Sequence, residues 1–426
     1  MNYQTVKLGD ICDLVNGYAF KSEDYIETSS TLNCRMSNIR PGGKFDIDYS
    51  PKFLPDDFAD KHRQFLLKDG DIVIAMTDLA SSPKILGVPT IVETKGRNIL
   101  LNQRVGKLVI RDKNKVHFPY LKLVLNYPKT RAVYEKFAGG GLQINLGKAD
   151  LLSVQIPLPP LAEQKRIAEI LDKADALREK RRLALQKLDT LLQSVFLEMF
   201  GDPVKNPMRF EKKPLKQCAD LLTGFAFKSA NYLFENHHIK LCRGANISPN
   251  KIDWSDVVYW DSENTIGLER FFLEKDDIVI AMDRPWISTG FKIAQISEKD
   301  LPALLVQRVT RVRAKGYLSN DYLIQLLKHS AFTKHCKPTE TTVPHISPLE
   351  ISSFEIPIPS QKSIESFTNI SKRIKCDLKI QEKSLQLNEN LFQSLQQKAF
   401  KGELFNSDSA DELKDEKKVW QQTSLF

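Results

Sequence analysis

The chain has 426 residues, 42% hydrophobic and 27% charged, with 62 Lys and Arg against 53 Asp and Glu for a formal charge of +9. That is an ordinary globular composition with room for two or three domains, and the mild basic excess suits a polyanionic partner. No run of 18 apolar residues marks a membrane span, Met1 to Asp10 holds no apolar leader, and six scattered cysteines form no Cys-x-x-Cys pair, which excludes membrane, secreted and zinc-finger readings in favour of a cytosolic protein with reduced thiols.

In chain order, residues 1–160 alternate short β-branched runs with Gly, Pro, Asn and Asp. Ile72–Ala75, 88–92 and Val105–Ile110 are predicted strands, and 120–125 a short helix. Residues 161–200 then contain no Gly or Pro, and apolar side chains recur in steps of three and four at Ile167, Ile170, Ala174, Leu177, Ala184, Leu188, Leu191 and Val195, with Arg181 the polar exception. Heptad spacing sustained this long predicts a coiled-coil helix of roughly 60 Å. Residues 201–360 return to the first pattern, with strands at 257–260, Ile278–Ala281 and 309–312 and a helix at 322–328. Residues 361–405 form a second heptad helix through Ile364, Phe367, Ile374, Leu378, Leu385, Phe392, Leu395 and Ala399, with Ser371, Gln381 and Asn388 in the same seam. Residues 406–426 are polar and acidic, an expected disordered tail.

The second half repeats the first. Gly17-Tyr18-Ala19-Phe20-Lys21-Ser22 returns as Gly224-Phe225-Ala226-Phe227-Lys228-Ser229, and Cys34-Arg35 with Asn38-Ile39 as Cys242-Arg243 with Asn246-Ile247. Asp71 to Met76 returns as Asp277 to Met282, Gln103-Arg104-Val105 as Gln307-Arg308-Val309, and Ile156-Pro157-Leu158-Pro159 as Ile356-Pro357-Ile358-Pro359. Five matches in one order make an internal duplication. The expected fold is α+β: two related strand-rich globular domains separated by two long antiparallel coiled-coil helices, with pseudo-two-fold symmetry.

Such a duplication mimics a two-fold dimer within one chain, and two-fold DNA readers meet paired half-sites. Because the copies have diverged, the site read would be asymmetric. The variable loops hold the expected base readers. After the shared Ile-Ala-Met strand come Thr77, Ser81 and Lys84 in one copy and Arg284, Trp286 and Lys292 in the other; a second loop supplies Gly140, Gln143 and Asn145, or Thr341 and His345. Arginine suits a guanine edge, amides suit adenine, and glycine lets backbone approach a phosphate. Lys21, Lys228, Arg35, Arg243, Arg104 and Arg308 occupy shared positions and are candidates for phosphate contact or structural pairing. The first long helix is nearly neutral, with 8 basic and 7 acidic residues, and reads as a spacer.

These features resemble the specificity subunit of type I restriction-modification enzymes. The strongest is Ile156-Pro157-Leu158-Pro159-Pro160-Leu161-Ala162-Glu163-Gln164-Lys165-Arg166-Ile167-Ala168; Asp-Ile-Val-Ile-Ala-Met, Gly-x-Ala-Phe-Lys-Ser and Ala399-Phe400-Lys401-Gly402-Glu403-Leu404 add to it. The resemblance implies two target-recognition domains reading a split sequence in double-stranded DNA. It also implies two methyltransferase subunits on the spacer helices, restriction-translocase subunits beyond them, and S-adenosylmethionine, ATP and Mg2+ held by those partners rather than by this non-catalytic chain. The second helix departs from the pattern, opening Pro359-Ser360-Gln361-Lys362-Ser363-Ile364.

Rival readings have less behind them. Pro55-Asp56 with Glu93-Thr94-Lys95 can be drawn as a metal-dependent nuclease site, but copy two has no equivalent. No Asn-Pro-Pro-Tyr or Asp-Pro-Pro-Tyr methylation segment and no phosphate-loop motif occur, and His237, His238, His329 and His335 lack metal-ligand spacing. A coiled-coil scaffold that never reads DNA explains the helices but not the duplicated basic domains. The ending Gln422-Thr423-Ser424-Leu425-Phe426 resembles short peptides that dock on replication sliding clamps.

Overall fold

A computed structural model describes residues 3–80, 83–136, 143–236, 238–336 and 344–405. They form two compact units, one of Met1–Arg181 with Ser384–Phe426 and one of Arg182–Lys383. Each long helix is therefore shared between them: Leu161–Phe200 and Gln361–Lys401 both run unbroken across a unit boundary. Ser81, Gly140, Thr341 and the tail lie outside the described residues, as do His237 and the centres of both second variable loops.

The first unit is built on an antiparallel sheet of β1 (Cys12–Asn16), β3 (Ile72–Ala75), β5 (Pro89–Ile91) and β6 (Val105–Ile110), in the order β5-β3-β6-β1. A second, mixed sheet pairs β2 (Thr31–Cys34) in parallel with Asn98–Leu101. In the second unit the same order recurs in β8 (Ala219–Thr223), β9 (Ile278–Ala281), β12 (Ile293–Gln295) and β13 (Val309–Ala314), and Ile239–Cys242 pairs in parallel with Ala303–Leu305.

The Asp-Ile-Val-Ile-Ala run is uninterrupted because both faces of its strand are covered. Ile72 and Ile74 pack into a core shared with the helices, while Val73 and Ala75 pack into a second core on the other face. Ile278 and Ile280, against Val279 and Ala281, divide in the same way. Alternation along a strand enforces that division, and each Ile or Val so buried contributes about 1.5–3 kcal/mol. The leading aspartate closes the preceding turn: Asp71 accepts the Lys68 N–H at 2.9 Å, and Asp277 accepts that of Glu274 at 2.7 Å.

The helices pair antiparallel within each unit. In the first, Ile167, Leu171 and Ala174 share a core with Phe392, Leu395 and Ala399. In the second, Leu192, Phe196 and Phe200 pack with Ile364, Phe367 and Ile374. One detail corrects the sequence expectation. Leu191 is 47% exposed while Leu192 is buried, so the first helix's seam has rotated by one residue towards its end. A helix turns every 3.6 residues and drifts about 20° per heptad against a 3.5 repeat, and here the large Phe196 and Phe200 rings pack edge-on or tilted against Tyr322 and Phe367.

Each Ile-Pro-x-Pro segment closes its unit. Gln155–Pro157 pairs with Thr5–Lys7 and Glu355–Ile358 with Glu211–Pro214. The buried Tyr120 hydroxyl donates to Pro157 O at 2.8 Å, and Tyr322 to Pro357 O at 2.9 Å. At the start of the first long helix, the buried Gln164 side chain accepts the His117 N–H and donates to Lys115 O and Pro159 O, each at 2.8 Å. Ile364 stands at the matching position of the second helix and is also buried.

Candidate nucleic-acid interface

In each unit the two variable loops meet. In the first, β4 (Thr77–Leu79) pairs with β7 (Gln143–Asn145), Thr77 opposite Asn145 and Leu79 opposite Gln143. The Thr77 hydroxyl donates to Asn145 Oδ1 at 2.9 Å. Backbone bonds tie this pair to the shared Gln-Arg turn, Leu146 N–H to Met76 O at 2.8 Å and Met76 N–H to Arg104 O at 2.9 Å. A hollow of about 360 Å³ opens there, lined by Asn16, Thr77, Gln103, Arg104, Asn145 and Lys148 among others. Amide and cationic groups on one rim form a donor-rich surface able to bind base edges and phosphates. The Arg104 guanidinium has no ion pair or hydrogen bond among the described residues.

The second unit repeats the arrangement with different chemistry. Asp283 bridges to His345, Ile346 N–H donates to Met282 O at 3.0 Å, and Met282 N–H to Arg308 O at 2.9 Å. Asp283 binds His345 Nδ1 at 2.6 Å and Arg308 Nη1 at 2.7 Å. Burial raises the Asp283 carboxyl, but the His345 and Arg308 hydrogen bonds outweigh it and hold the group below the usual carboxylate range. Arg284 (φ +43°) and Arg308 (φ +65°) take the left-handed backbone conformation, which costs a non-glycine residue about 1–2 kcal/mol. Arg284 is exposed, with its N–H bonded to Pro344 O at 2.8 Å.

Of the other expected contacts, Lys84 and Asn145 are exposed, Gln143 half-buried. Two expectations are corrected. Lys292 is 9% exposed and its amine donates inward to Gly244 O; burial lowers its pKa. Thr77 is likewise buried and holds Asn145. Both side chains are used in joining strands and loops, and neither projects towards a ligand. Trp286 is half-buried against Phe291, with ring centroids 5.4 Å apart.

The shared segments are largely scaffold. A Cβ on Gly17 would lie 2.2 Å from Asn102 O, and one on Gly224 2.3 Å from Val306 O. The Asn38 side chain accepts the Arg35 N–H at 2.8 Å, and Asn246 that of Arg243 at 3.1 Å. The Arg243 guanidinium is taken up by Asp256 at 3.0 Å, whereas Arg35 is half-buried. Lys21 and Lys228 remain exposed, Lys21 within 3.5 Å of Glu23.

The nuclease constellation does not assemble. Asp56 accepts from Ser30 and Thr31, and Lys95 pairs with Asp48 at 2.7 Å. No group of three His, Cys, Asp or Glu able to hold a metal occurs among the described residues. His329 caps Ala331, and His335 contacts Glu350 O. No described helix is long and apolar enough to cross a membrane.

Residues 1–187 match the family model of the type I restriction modification DNA specificity domain. The chain is 36% identical over 163 residues to the EcoAI specificity subunit of Escherichia coli, covering 37% of this chain and 27% of that one. It is 25% identical over 359 residues to the MjaVIII specificity subunit of Methanocaldococcus jannaschii, covering 78% and 80%. The fold matches the S subunit of a type I restriction-modification system from M. genitalium with a TM-score of 0.55 at 15% identity, over 94% of this chain and 96% of that one.

Proposed function

We propose that this chain, which belongs with the type I restriction-modification specificity subunits in sequence and in fold, reads an asymmetric, two-part DNA site and performs no chemistry itself. The observation that carries the reading is the repeated meeting of two variable loops beside a shared Gln-Arg turn, in Thr77 with Asn145 and in Asp283 with His345. One scaffold holds two differently charged rims, so the half-sites differ.

The methyltransferase subunits would dock on the long helices, which leave Leu183, Leu191, Ile380 and Leu387 47–50% exposed. Apolar side chains standing out along a helix suit a further packed helix. Restriction-translocase subunits would join that assembly in the cytoplasm. Adenine methylation would draw on S-adenosylmethionine, and translocation on ATP and Mg2+, all bound by the partners.

The test is sequencing of modified bases in DNA from a methylation-free host that expresses this chain, the neighbouring methyltransferase, or both. Methylated adenine at one split, asymmetric motif only when both are present supports the reading. Modification by the methyltransferase alone, or none with both, returns the scaffold reading.

A further inference from the structure

We propose that the hairpin formed by residues 284–292 is a rigid base-reading finger, whose tip selects a thymine-bearing base pair in one half-site through the C5 methyl group. The proposal rests on the DNA-reading function above and assigns contacts to Ile287, Ser288 and Thr289 at the tip.

β10 (Trp286–Ile287) pairs with β11 (Gly290–Phe291), Trp286 opposite Phe291 and Ile287 opposite Gly290, so Ser288 and Thr289 form a two-residue turn. Strand alternation separates the two faces. Trp286 packs on Phe291, Phe291 on Phe332 at 5.7 Å, and Phe332 on Phe354 at 5.1 Å, a continuous aromatic path into the core. The base of the hairpin is closed by Lys292 N–H on Pro285 O at 2.7 Å, and the buried Lys292 amine holds Gly244 O. Ile287 is 42% exposed, and Ser288 and Thr289 are exposed beside it.

A branched aliphatic side chain at a held turn, next to two hydroxyls, suits a thymine edge. The aliphatic group meets the methyl, and a hydroxyl serves either partner of the pair. A tip already fixed by its root loses little freedom on binding. In the first unit the matching strand end is engaged differently, Asp78 accepting the N–H groups of Lys84, Ile85 and Leu86. The finger is assigned to the half-site that the second unit reads.

The experiment uses the full chain with its co-purified methyltransferase and duplexes carrying its motif, each thymine replaced in turn by deoxyuridine, which removes only the methyl. One replacement should weaken binding about fourfold, the worth of one buried methyl. Ile287→Ala should weaken the parent duplex comparably and become indifferent to that replacement, while Ile287→Val keeps the sensitivity. Specific binding with no methyl-sensitive thymine, or a sensitivity unchanged in Ile287→Ala, overturns the finger alone. Absence of any site-specific binding overturns the DNA-reading function and the finger with it.

Discussion

Asp283 Oδ1 lies 2.6 Å from His345 Nδ1 across 62 residues of chain. The equivalent place in the first unit holds the neutral hydrogen bond between Thr77 and Asn145, 68 residues apart. The duplicated scaffold has kept the junction of the two loops and changed the groups that make it. Divergence in sequence thereby becomes divergence in surface chemistry at one fixed position of the fold.

Asp283 should make the second unit acid-sensitive. Its carboxyl, raised by burial, is held below its ordinary value by the stronger effect of His345 and Arg308. A depressed acid adds stability that is full above its unfolded pKa of about 3.9 and fades as pH falls through the folded value. Urea unfolding of Asp283→Asn should show a loss of about 1 kcal/mol at pH 7. That difference should close under acid conditions below the carboxylate range. A difference that persists there would locate the effect elsewhere.

Gly17 and Gly224 are fixed by close approach. Each lacks room for a Cβ, which would meet the backbone of Asn102 or Val306 at 2.2–2.3 Å. Because the obstacle is backbone, Gly17→Ala and Gly224→Ala should each cost about 1–3 kcal/mol. Thermal melts of the two variants check this, and neutral substitutions would show that the Gln-Arg turn can shift.

The hydroxyls of Tyr120 and Tyr322 perform one task in two units, bonding Pro157 O and Pro357 O beside the helix starts. Tyr120→Phe and Tyr322→Phe should each lose about 1 kcal/mol while keeping the ring packed. Denaturant midpoints measure the loss. A much larger effect in one would mean that its helix start depends on that bond alone.

The strand of Ile72–Ala75 and its counterpart Ile278–Ala281 are legible in the sequence because burial on both faces demands a continuous apolar run. The long helices are legible because thirty or more residues without Gly or Pro leave only a helical spacing to satisfy. The meeting of Thr77 with Asn145 is not legible: its strands are three residues long and 68 apart, with no local periodicity. Nor is the inward turn of Lys292, since nothing near it in sequence announces the Gly244 carbonyl it satisfies. Arg35 and Arg243 look equivalent by motif, yet only Arg243 has Asp256 beside it.

Arg104 and Arg308 occupy the same shared position and should contribute unequally to DNA binding. Arg308 is already engaged by Asp283 at 2.7 Å, so a phosphate must compete with a carboxylate for it. Arg104 has no such partner among the described residues. Each phosphate neutralised by a free cation releases condensed counterion, and its loss lowers the slope of log affinity against log salt by about 0.9. Arg104→Ala should therefore weaken binding and flatten the salt dependence by about one unit, whereas Arg308→Ala should do less. Asp283→Asn should free Arg308, so that Arg308→Ala in that background should flatten the slope by the larger amount. Fluorescence anisotropy across a salt series measures the parent, the three single variants and the double variant; equal slopes for the two arginine variants would show that the carboxylate does not withhold Arg308 from DNA.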